Sequence, residues 1–260
     1  MVEEENWNSA KLDLQRIRKI FPVISTKISK SYINLTLQDK HNWNFRFVSC
    51  YHSVLVIVIW FYTLLYDEVV SNDPVWSDRP LIRMNYAVVT GFFIADLISL
   101  ILDYKQTMTT VKYYIHHIAS IVAGYYVFTY GLMSYFANLR LMAVFSTLFL
   151  NIWWMLDKAN VDKSSTVYVL HRHMAIVTFM LTRVVAIPFH WYTAYTCIRS
   201  EDFAVLGNRL HMITLTYLPL DILNVHWGIG IIKSACKGSL SSSDKSENGI
   251  SKTKAIGKKQ

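Results

Sequence analysis

Six long apolar stretches constrain this chain most strongly, because each is long enough to cross a bilayer as a helix. They lie at about residues 46–66, 84–102, 113–131, 133–156, 167–190 and 208–232. A membrane-spanning helix needs about 17–25 mostly apolar residues. Only 17% of the 260 residues are charged, against about 25% in soluble domains. The sequence therefore predicts an all-α, polytopic transmembrane helix bundle with about six spans.

The junction between the third and fourth stretches leaves an alternative open. Asn138 and Arg140 interrupt the fourth stretch, and almost no loop separates it from the third. These two stretches could instead form a tight helical hairpin with Gly131 at its turn.

The distribution of basic residues predicts the orientation of the bundle. Lys and Arg are frequent before the first stretch, in the second-to-third and fourth-to-fifth connections, and in the tail. The first-to-second connection instead begins with acidic residues, namely Asp67, Glu68, Asp73 and Asp78. Cytosolic loops carry the excess of Lys and Arg, so both termini are predicted to be cytosolic. A net charge of +8 distributed in this way fits a membrane surface, and no nucleic-acid partner is expected.

Composition divides the chain into three segments. Residues 1–41 form a cytosolic N-terminal segment, residues 42–235 the transmembrane domain, and residues 236–260 a basic cytosolic tail that is predicted to be disordered. One helical face of the first segment is apolar, formed by Trp7, Ala10, Leu14, Ile17 and Phe21. This periodicity predicts a basic amphipathic helix lying on the membrane surface. A poorly ordered tail is the alternative.

Polar side chains recur at one depth in five of the predicted spans. At about 1.5 Å per residue, they lie roughly 6–13 Å below the cytosolic face. They are His52, Asp96, His116, His117, Asn151 and Asn224. Because ionisable residues at membrane depth mark functional sites by default, we hypothesise that these side chains line a cytosol-facing cavity in which His and Asp can move a proton. The alternative is that they form hydrogen bonds between helices.

Three further polar residues lie deeper in the predicted bundle. Arg140 and Asp221 fall near the midplane, and Arg183 lies towards the far side. An unpaired charge at this depth is costly, so a structural Arg140–Asp221 pair is predicted, with Asp221–Arg183 as the alternative. The interface opposite the cytosol is predicted to contain His190, His211 and Trp191.

Several short motifs together resemble those of the TLC-domain family. They are His116-His117-Ile118-Ala119-Ser120, Ser134-Tyr135-Phe136-Ala137-Asn138-Leu139-Arg140 and Asn151, with Cys50-Tyr51-His52-Ser53 and Asp96-Leu97 before them. This family includes translocating-chain accessory proteins, ceramide synthases and small multispan proteins of the endoplasmic reticulum. The resemblance covers residues 42–235 and is greatest to the TLC domain-containing proteins of subfamily four. It implies a TLC-type bundle in the endoplasmic reticulum membrane, membrane lipids as partners, and a role in lipid homeostasis.

The histidine pair bears on whether the chain is an enzyme. In ceramide synthases such a pair is followed, one helix later, by a His-Asp and a further Asp that complete the catalytic centre. His116 and His117 match the first half and are the candidate catalytic residues, but residues 145–154 contain neither His nor Asp. The resemblance therefore implies a lipid-binding protein without a cofactor. A ceramide synthase-like acyltransferase using acyl-CoA and a non-enzymatic cargo or translocation accessory protein are the alternatives. Adjacent histidines on a regular helix cannot both reach one ion, so no metal site is predicted.

Overall fold

The computed structural model describes residues 22–67, 73–102, 108–131, 133–198 and 200–256. The regular elements within these ranges are all helical, which confirms the all-α prediction. The predicted amphipathic helix near residues 7–21 lies outside the described residues.

The helices follow one another with short connections. After a helical segment at residues 22–28 and a 3₁₀ turn at Lys30–Asn34, they are α1 (Leu37–Tyr66), α2 (Pro80–Leu102), α3 (Met108–Tyr130), α4 (Ser134–Leu141), α5 (Ala143–Lys158), α6 (Thr166–Phe179), a π-helical segment (Met180–Val185), α7 (Ala186–Cys197), α8 (Ser200–Leu206) and α9 (Asn208–Ile256).

Hydroxyl side chains define where two of the long helices begin. Thr36 precedes α1, and its Oγ1 accepts a hydrogen bond from the backbone N–H of Asp39 at 3.1 Å. Ser165 precedes α6 and accepts from the backbone N–H of Tyr168 at 3.3 Å. Ser and Thr suit these positions because they satisfy a backbone donor that has no partner within the helix. The first helix therefore starts at Leu37, earlier than the apolar stretch suggests.

The long helices form a closed ring. Around it, α1 contacts α2, α2 contacts α3, α3 contacts α9, α9 contacts the π-helical segment and α6, α6 contacts α5, and α5 contacts α1. The short helix α4 contacts α1, α2 and α5 of the ring and also α7, which follows the π-helical segment. It therefore fills the interior at one end, where its Ala137 and Leu141 join a buried apolar cluster with Val56 and Ile82.

Five of the six predicted spans are helices that are long and apolar enough to cross a membrane. They are Leu37–Tyr66, Pro80–Ile101, Ser134–Lys158, Thr166–Cys197 and Thr214–Ala235. The third predicted span is a helix of 23 residues, α3, but it carries Lys112, His116 and His117 and is not among them. Large apolar side chains such as Val58, Val185 and Ile222 are 63%, 58% and 61% exposed on the outside of the ring, as expected of helices that face lipid. The chain is thus a multispan membrane protein.

Contacts between loops show which connections share an end of the ring. At one end, Ser31 donates to the carbonyl of Ala159, and Lys158 pairs with Asp39 at 2.8 Å. Arg172 donates to the carbonyl of Ala235 at the same end. This end therefore gathers the N-terminal approach to α1, the α5–α6 connection and the end of the last span.

The acidic connection lies at the opposite end. Trp76 Nε1 donates to Asp202 at 2.7 Å, and Arg83 donates to the carbonyls of Phe128 and Thr129. The segment that precedes α1 and the end of the last span therefore lie on the same side of the ring, away from the acidic connection.

The α3–α4 junction and the tail complete the fold. Gly131 has φ +64°, and a Cβ there would overlap the carboxylate of Asp78, so the tight turn requires glycine. The turn leads into α4 and α5, which together are long enough to span a membrane. At the other end of the chain, the backbone of α9 continues to Ile256, whereas the composition of residues 236–260 predicts disorder. This stretch contains no proline, so no residue in it forces the helix to stop.

Candidate functional site

The ring of helices encloses a large cavity. Its volume is about 1150 Å³, larger than the roughly 300–1,000 Å³ of pockets that hold drug-sized ligands. Its wall includes apolar side chains such as Val89, Leu150 and Phe179. The six polar residues that the sequence places at one depth all lie in this wall, namely His52, Asp96, His116, His117, Asn151 and Asn224.

His117 is held at both ring nitrogens. Its Nδ1 lies 2.6 Å from the backbone carbonyl of Tyr113, and its Nε2 lies 2.5 Å from Asp96 Oδ2 on α2. A carbonyl only accepts, so Nδ1 carries a proton. One further proton is therefore shared between Nε2 and the Asp96 carboxylate. The side chain is buried, and neither nitrogen is available to a molecule in the cavity.

His116 points in a different direction from its neighbour. The two imidazole rings lie 5.5 Å apart at 87°, and His116 contacts Trp227 of α9 edge-to-face at 5.3 Å. Its Nδ1 is buried without a hydrogen-bond partner among the described residues. Of the two adjacent histidines, His116 is therefore the one whose ring can still bond to an occupant of the cavity.

An aromatic chain connects His52 to the histidine pair. The His52 ring stacks on Phe92 at 4.1 Å and 11°, and Phe92 contacts Phe93 at 6.1 Å. Phe93 in turn packs edge-on against His116 and His117, at 5.5 Å and 5.2 Å. His52 Nε2 has no hydrogen-bond partner among the described residues. The α1 and α3 histidines thus share one aromatic wall but do not hydrogen-bond to each other.

Asn151 links α5 to α1 at a separate part of the wall. Its Oδ1 accepts from Arg46 Nη1 at 2.9 Å, and its Nδ2 donates to Ser49 Oγ at 2.9 Å. The Arg46 guanidinium also lies over the Trp154 ring at 4.5 Å. Sequence reasoning missed Arg46, whose position near the start of the first apolar stretch suggests a membrane-surface residue.

Arg183, on the π-helical segment, binds neutral groups among the described residues. Its Nε donates to Ser146 Oγ at 2.8 Å, and its Nη2 donates to Thr147 Oγ1 at 2.8 Å and to the Ala143 carbonyl at 3.1 Å. Its Nη1 donates to Asn224 Oδ1 at 3.2 Å. The alternative pairing of Asp221 with Arg183 is therefore not present.

Arg140 and Asp221 form a two-bond ion pair. Both Nη atoms of Arg140 donate to the Asp221 carboxylate, and Trp191 Nε1 donates to Asp221 Oδ2 at 2.8 Å. The guanidinium also lies over the Tyr217 ring at 4.5 Å. These contacts tie α4 to α7 and α9 and satisfy both charges within the protein.

Comparison with known proteins assigns a family to this arrangement. The TLC domain model matches residues 42–233. The chain belongs to the TLC-domain family. It is 33% identical over 216 residues to TLC domain-containing protein 4-B of Xenopus laevis, which covers 82% of each chain. It is 31% identical over 214 residues to TLC domain-containing protein 4 of Homo sapiens, covering 82% of this chain and 81% of that one. No solved structure matches the chain.

In this TLC-domain protein, the carboxylate next to the paired histidines comes from α2. The α5 stretch that lacks His and Asp places Asn151 in the cavity wall instead. Asp96 at 2.5 Å from His117 supplies an acidic partner from the preceding helix. Among the described residues, no group of three His, Cys, Asp or Glu side chains is arranged to hold a metal ion.

His190 and Trp191 differ from their sequence assignment as interface residues. His190 is only 7% exposed and lines the cavity, and both of its ring nitrogens lack hydrogen-bond partners among the described residues. Trp191 bonds to the buried Asp221. The π-helical segment before them has a wider helical turn, which changes the direction in which the following residues face. The apolar composition of the stretch does not indicate this change.

Proposed function

We propose that this protein binds a lipid or acyl chain within the helix ring and thereby takes part in membrane lipid homeostasis. The cavity of about 1150 Å³ carries this proposal, because it is lipid-sized and combines apolar walls with His and Asp side chains. Membership of the TLC-domain family supports it. His52, Asp96, His116, Asn151 and Asn224 would surround the polar end of the bound molecule.

The proposed residence is the endoplasmic reticulum membrane, with both termini in the cytosol. The basic connections and the acidic connection lie at opposite ends of the ring, and positive residues favour the cytosolic side. The cavity would then open towards the cytosol, because Arg46, Lys163 and Arg172 belong to its wall at the basic end.

Lipid profiling tests this function. Cells lacking the protein, cells with the protein restored, and cells carrying a cavity-blocking variant such as Ser53→Trp are compared under a fatty-acid challenge. Ser53 is fully buried and lines the cavity, so a Trp there would fill part of its volume. We expect the restored cells to differ from both others in membrane acyl composition. Identical lipid profiles in all three would contradict the proposal.

An acyltransferase is the second candidate, and the His117–Asp96 contact favours it. Catalytic histidines are commonly oriented by a carboxylate. Here, however, both nitrogens of His117 are occupied, so His117 would be a positioning residue. His116 would be the base that takes a proton from a lipid amine or hydroxyl as that group attacks an acyl thioester. The acyl–sulfur bond would break, and the thiol would leave with a proton.

Purified protein with labelled acyl-CoA and candidate lipid acceptors tests the second candidate. We expect His116→Ala to abolish product and Asp96→Asn to reduce it while shifting the pH profile. An absence of product with the intact protein, or product undiminished in His116→Ala, would exclude a His116-dependent transferase. Neither result bears on lipid binding as such.

A further inference from the structure

The cavity wall contains a cation whose charge is not balanced by its own partners. The four hydrogen bonds of Arg183 go to two hydroxyls, an amide oxygen and a backbone carbonyl. A guanidinium has five N–H donors, so one Nη1 N–H has no acceptor among the described residues. No carboxylate in the described part of the chain pairs with it, and the guanidinium approaches the Phe179 ring at 5.3 Å.

This charge cannot be removed by deprotonation. An Arg side chain stays protonated in proteins, and a charge at membrane depth normally has an opposite charge beside it or marks a functional path. Arg183 also lies in the π-helical segment Met180–Val185, and π-helical turns within α-helices occur frequently at functional sites. The protein thus holds a fixed positive charge towards the cavity, and the described residues offer it no anion.

The wall as a whole is basic. Its basic side chains outnumber its acidic ones, with Arg46, Arg140, Lys163, Arg172 and Arg183 against Asp96 and Asp157. The two carboxylates are already engaged, Asp96 by His117 and Asp157 by Lys163 and Tyr168. An anion entering the cavity would therefore meet cations and no free carboxylate among the lining residues described.

His116 is a second hydrogen-bond donor near Arg183, and both contact the same turn of α9. Asn224 accepts from Arg183, and Trp227, three residues later, contacts the His116 ring at 5.3 Å. Residues three apart on a helix share a face, so Arg183 and His116 converge on the same part of the cavity. The buried Nδ1 of His116 has no protein partner among the described residues and can donate to an anion in the neutral tautomer that carries its proton on Nδ1.

We propose that Arg183, with His116 beside it, binds the anionic head group of a single-chain lipid whose hydrocarbon chain occupies the apolar part of the cavity. The inference rests on the proposed lipid-binding function and specifies the chemical class of the ligand. Arg140 does not compete for the head group because Asp221 already neutralises it. A carboxylate and a phosphate monoester are the two head groups that a guanidinium binds in this way.

The test compares two ligands with hydrocarbon chains of the same length, one with an anionic head group and one with a neutral head group. Binding of tritiated palmitate and tritiated hexadecanol to the full-length protein in detergent is measured at pH 8, where the carboxylate is ionised. A charge-assisted hydrogen bond to the head group is expected to give palmitate about a tenfold or greater advantage. Unlabelled palmitate and unlabelled lysophosphatidate are then compared as competitors of tritiated palmitate. The better competitor carries the preferred anionic head group.

Variants assign the effect to Arg183. Arg183→Gln should abolish the preference for palmitate over hexadecanol, while Arg183→Lys should retain part of the preference. Arg209→Gln is the matched control, because Arg209 stacks on Tyr130 at 4.5 Å and is not in the cavity wall. It should bind both ligands as the unmodified protein does.

The possible failures are distinguishable. Equal binding of palmitate and hexadecanol by the unmodified protein would overturn the anionic head group while leaving lipid binding intact, and this comparison needs no variant to fold. A preference that survives in Arg183→Gln would overturn the role of Arg183. Binding of neither ligand would overturn the proposed function itself.

Discussion

Arg140 and Arg183 are two cations inside the same ring of helices, and their partners differ in kind. Arg140 meets the carboxylate of Asp221 with both Nη atoms, at the end of the ring that α4 fills. Within the described part of the chain, Arg183 meets hydroxyl, amide and carbonyl oxygens and no carboxylate. The charge of Arg140 is neutralised by Asp221, whereas the charge of Arg183 has no counter-charge among the described residues.

The same contrast separates the two adjacent histidines. His117 is fixed at both nitrogens by Tyr113 and Asp96, whereas the Nδ1 of His116 has no partner within the described residues. All four side chains line the cavity, but in each pair one member is bonded to a carboxylate, and the other has unused bonding capacity among the described residues. Residue type and depth are therefore poor guides to role, and the partners decide which residue is structural.

The largest expected effect comes from replacing each arginine by methionine. Arg140→Met leaves the buried Asp221 carboxylate, only 6% exposed, without its counter-charge, and breaking a buried ion pair in this way costs about 3–5 kcal/mol. Arg183→Met leaves no charge behind, because every group it bonds is neutral. Unfolding in mixed detergent micelles should therefore show a loss for Arg183→Met of about half that of Arg140→Met or less.

The double variant Arg140→Met with Asp221→Leu is the control for this comparison. Replacing both members of a buried pair by apolar side chains is often close to neutral, so much of the lost stability should return. Equal losses in the two single variants would show that Arg183 is as structural as Arg140, and the contrast between the sites would fail.

The next largest effect is expected from replacing each of the two adjacent histidines by alanine. His117→Ala removes a hydrogen bond to the partly buried Asp96 carboxyl, and losing a bond to a charged partner costs about 1.5–3 kcal/mol. His116→Ala breaks no hydrogen bond within the described residues, so its cost should be smaller and limited to ring contacts. The free energy of unfolding measures both. A larger loss in His116→Ala than in His117→Ala would reverse the assigned roles.

Much of the fold was predictable because bilayer thickness sets the length of apolar helices. Counting residues from the span ends predicts a common level for six polar side chains, since residue count converts into distance along a helix. The structure has all six in the cavity wall, and the cost of polar groups facing lipid favours that inward direction. The start of α1 at Leu37 was not apparent from the apolar stretch, because a capping side chain rather than hydrophobicity defines it.

The partners of the polar residues were only partly predictable. A buried partner for Arg140 follows from charge balance, but the same argument leaves Asp221 equally available to Arg183. The contact of His117 with Asp96 joins α3 to α2, and facing between helices depends on packing that a single sequence does not display. The sequence predicts that His190 lies at the interface, but the π-helical segment before it changes the direction in which the following helix faces. The residues of that segment have no distinctive composition, so the change was not predictable.

The smallest effect concerns Asn151, which bridges two helices. Asn151→Ala removes its bonds to Arg46 and Ser49, and hydrogen bonds between membrane helices average about 0.6 kcal/mol with a maximum near 1.7 kcal/mol. Ser99→Ala is the control, because among the described residues Ser99 Oγ bonds within its own helix, to the Ala95 carbonyl at 2.9 Å. It should change the free energy of unfolding by no more than about 0.5 kcal/mol. If Asn151→Ala lowered the free energy of unfolding as much as Arg140→Met, the Arg46–Asn151–Ser49 link would be as important for stability as the Arg140–Asp221 pair. A loss of about 1 kcal/mol would instead match an ordinary hydrogen-bonded bridge between two membrane helices.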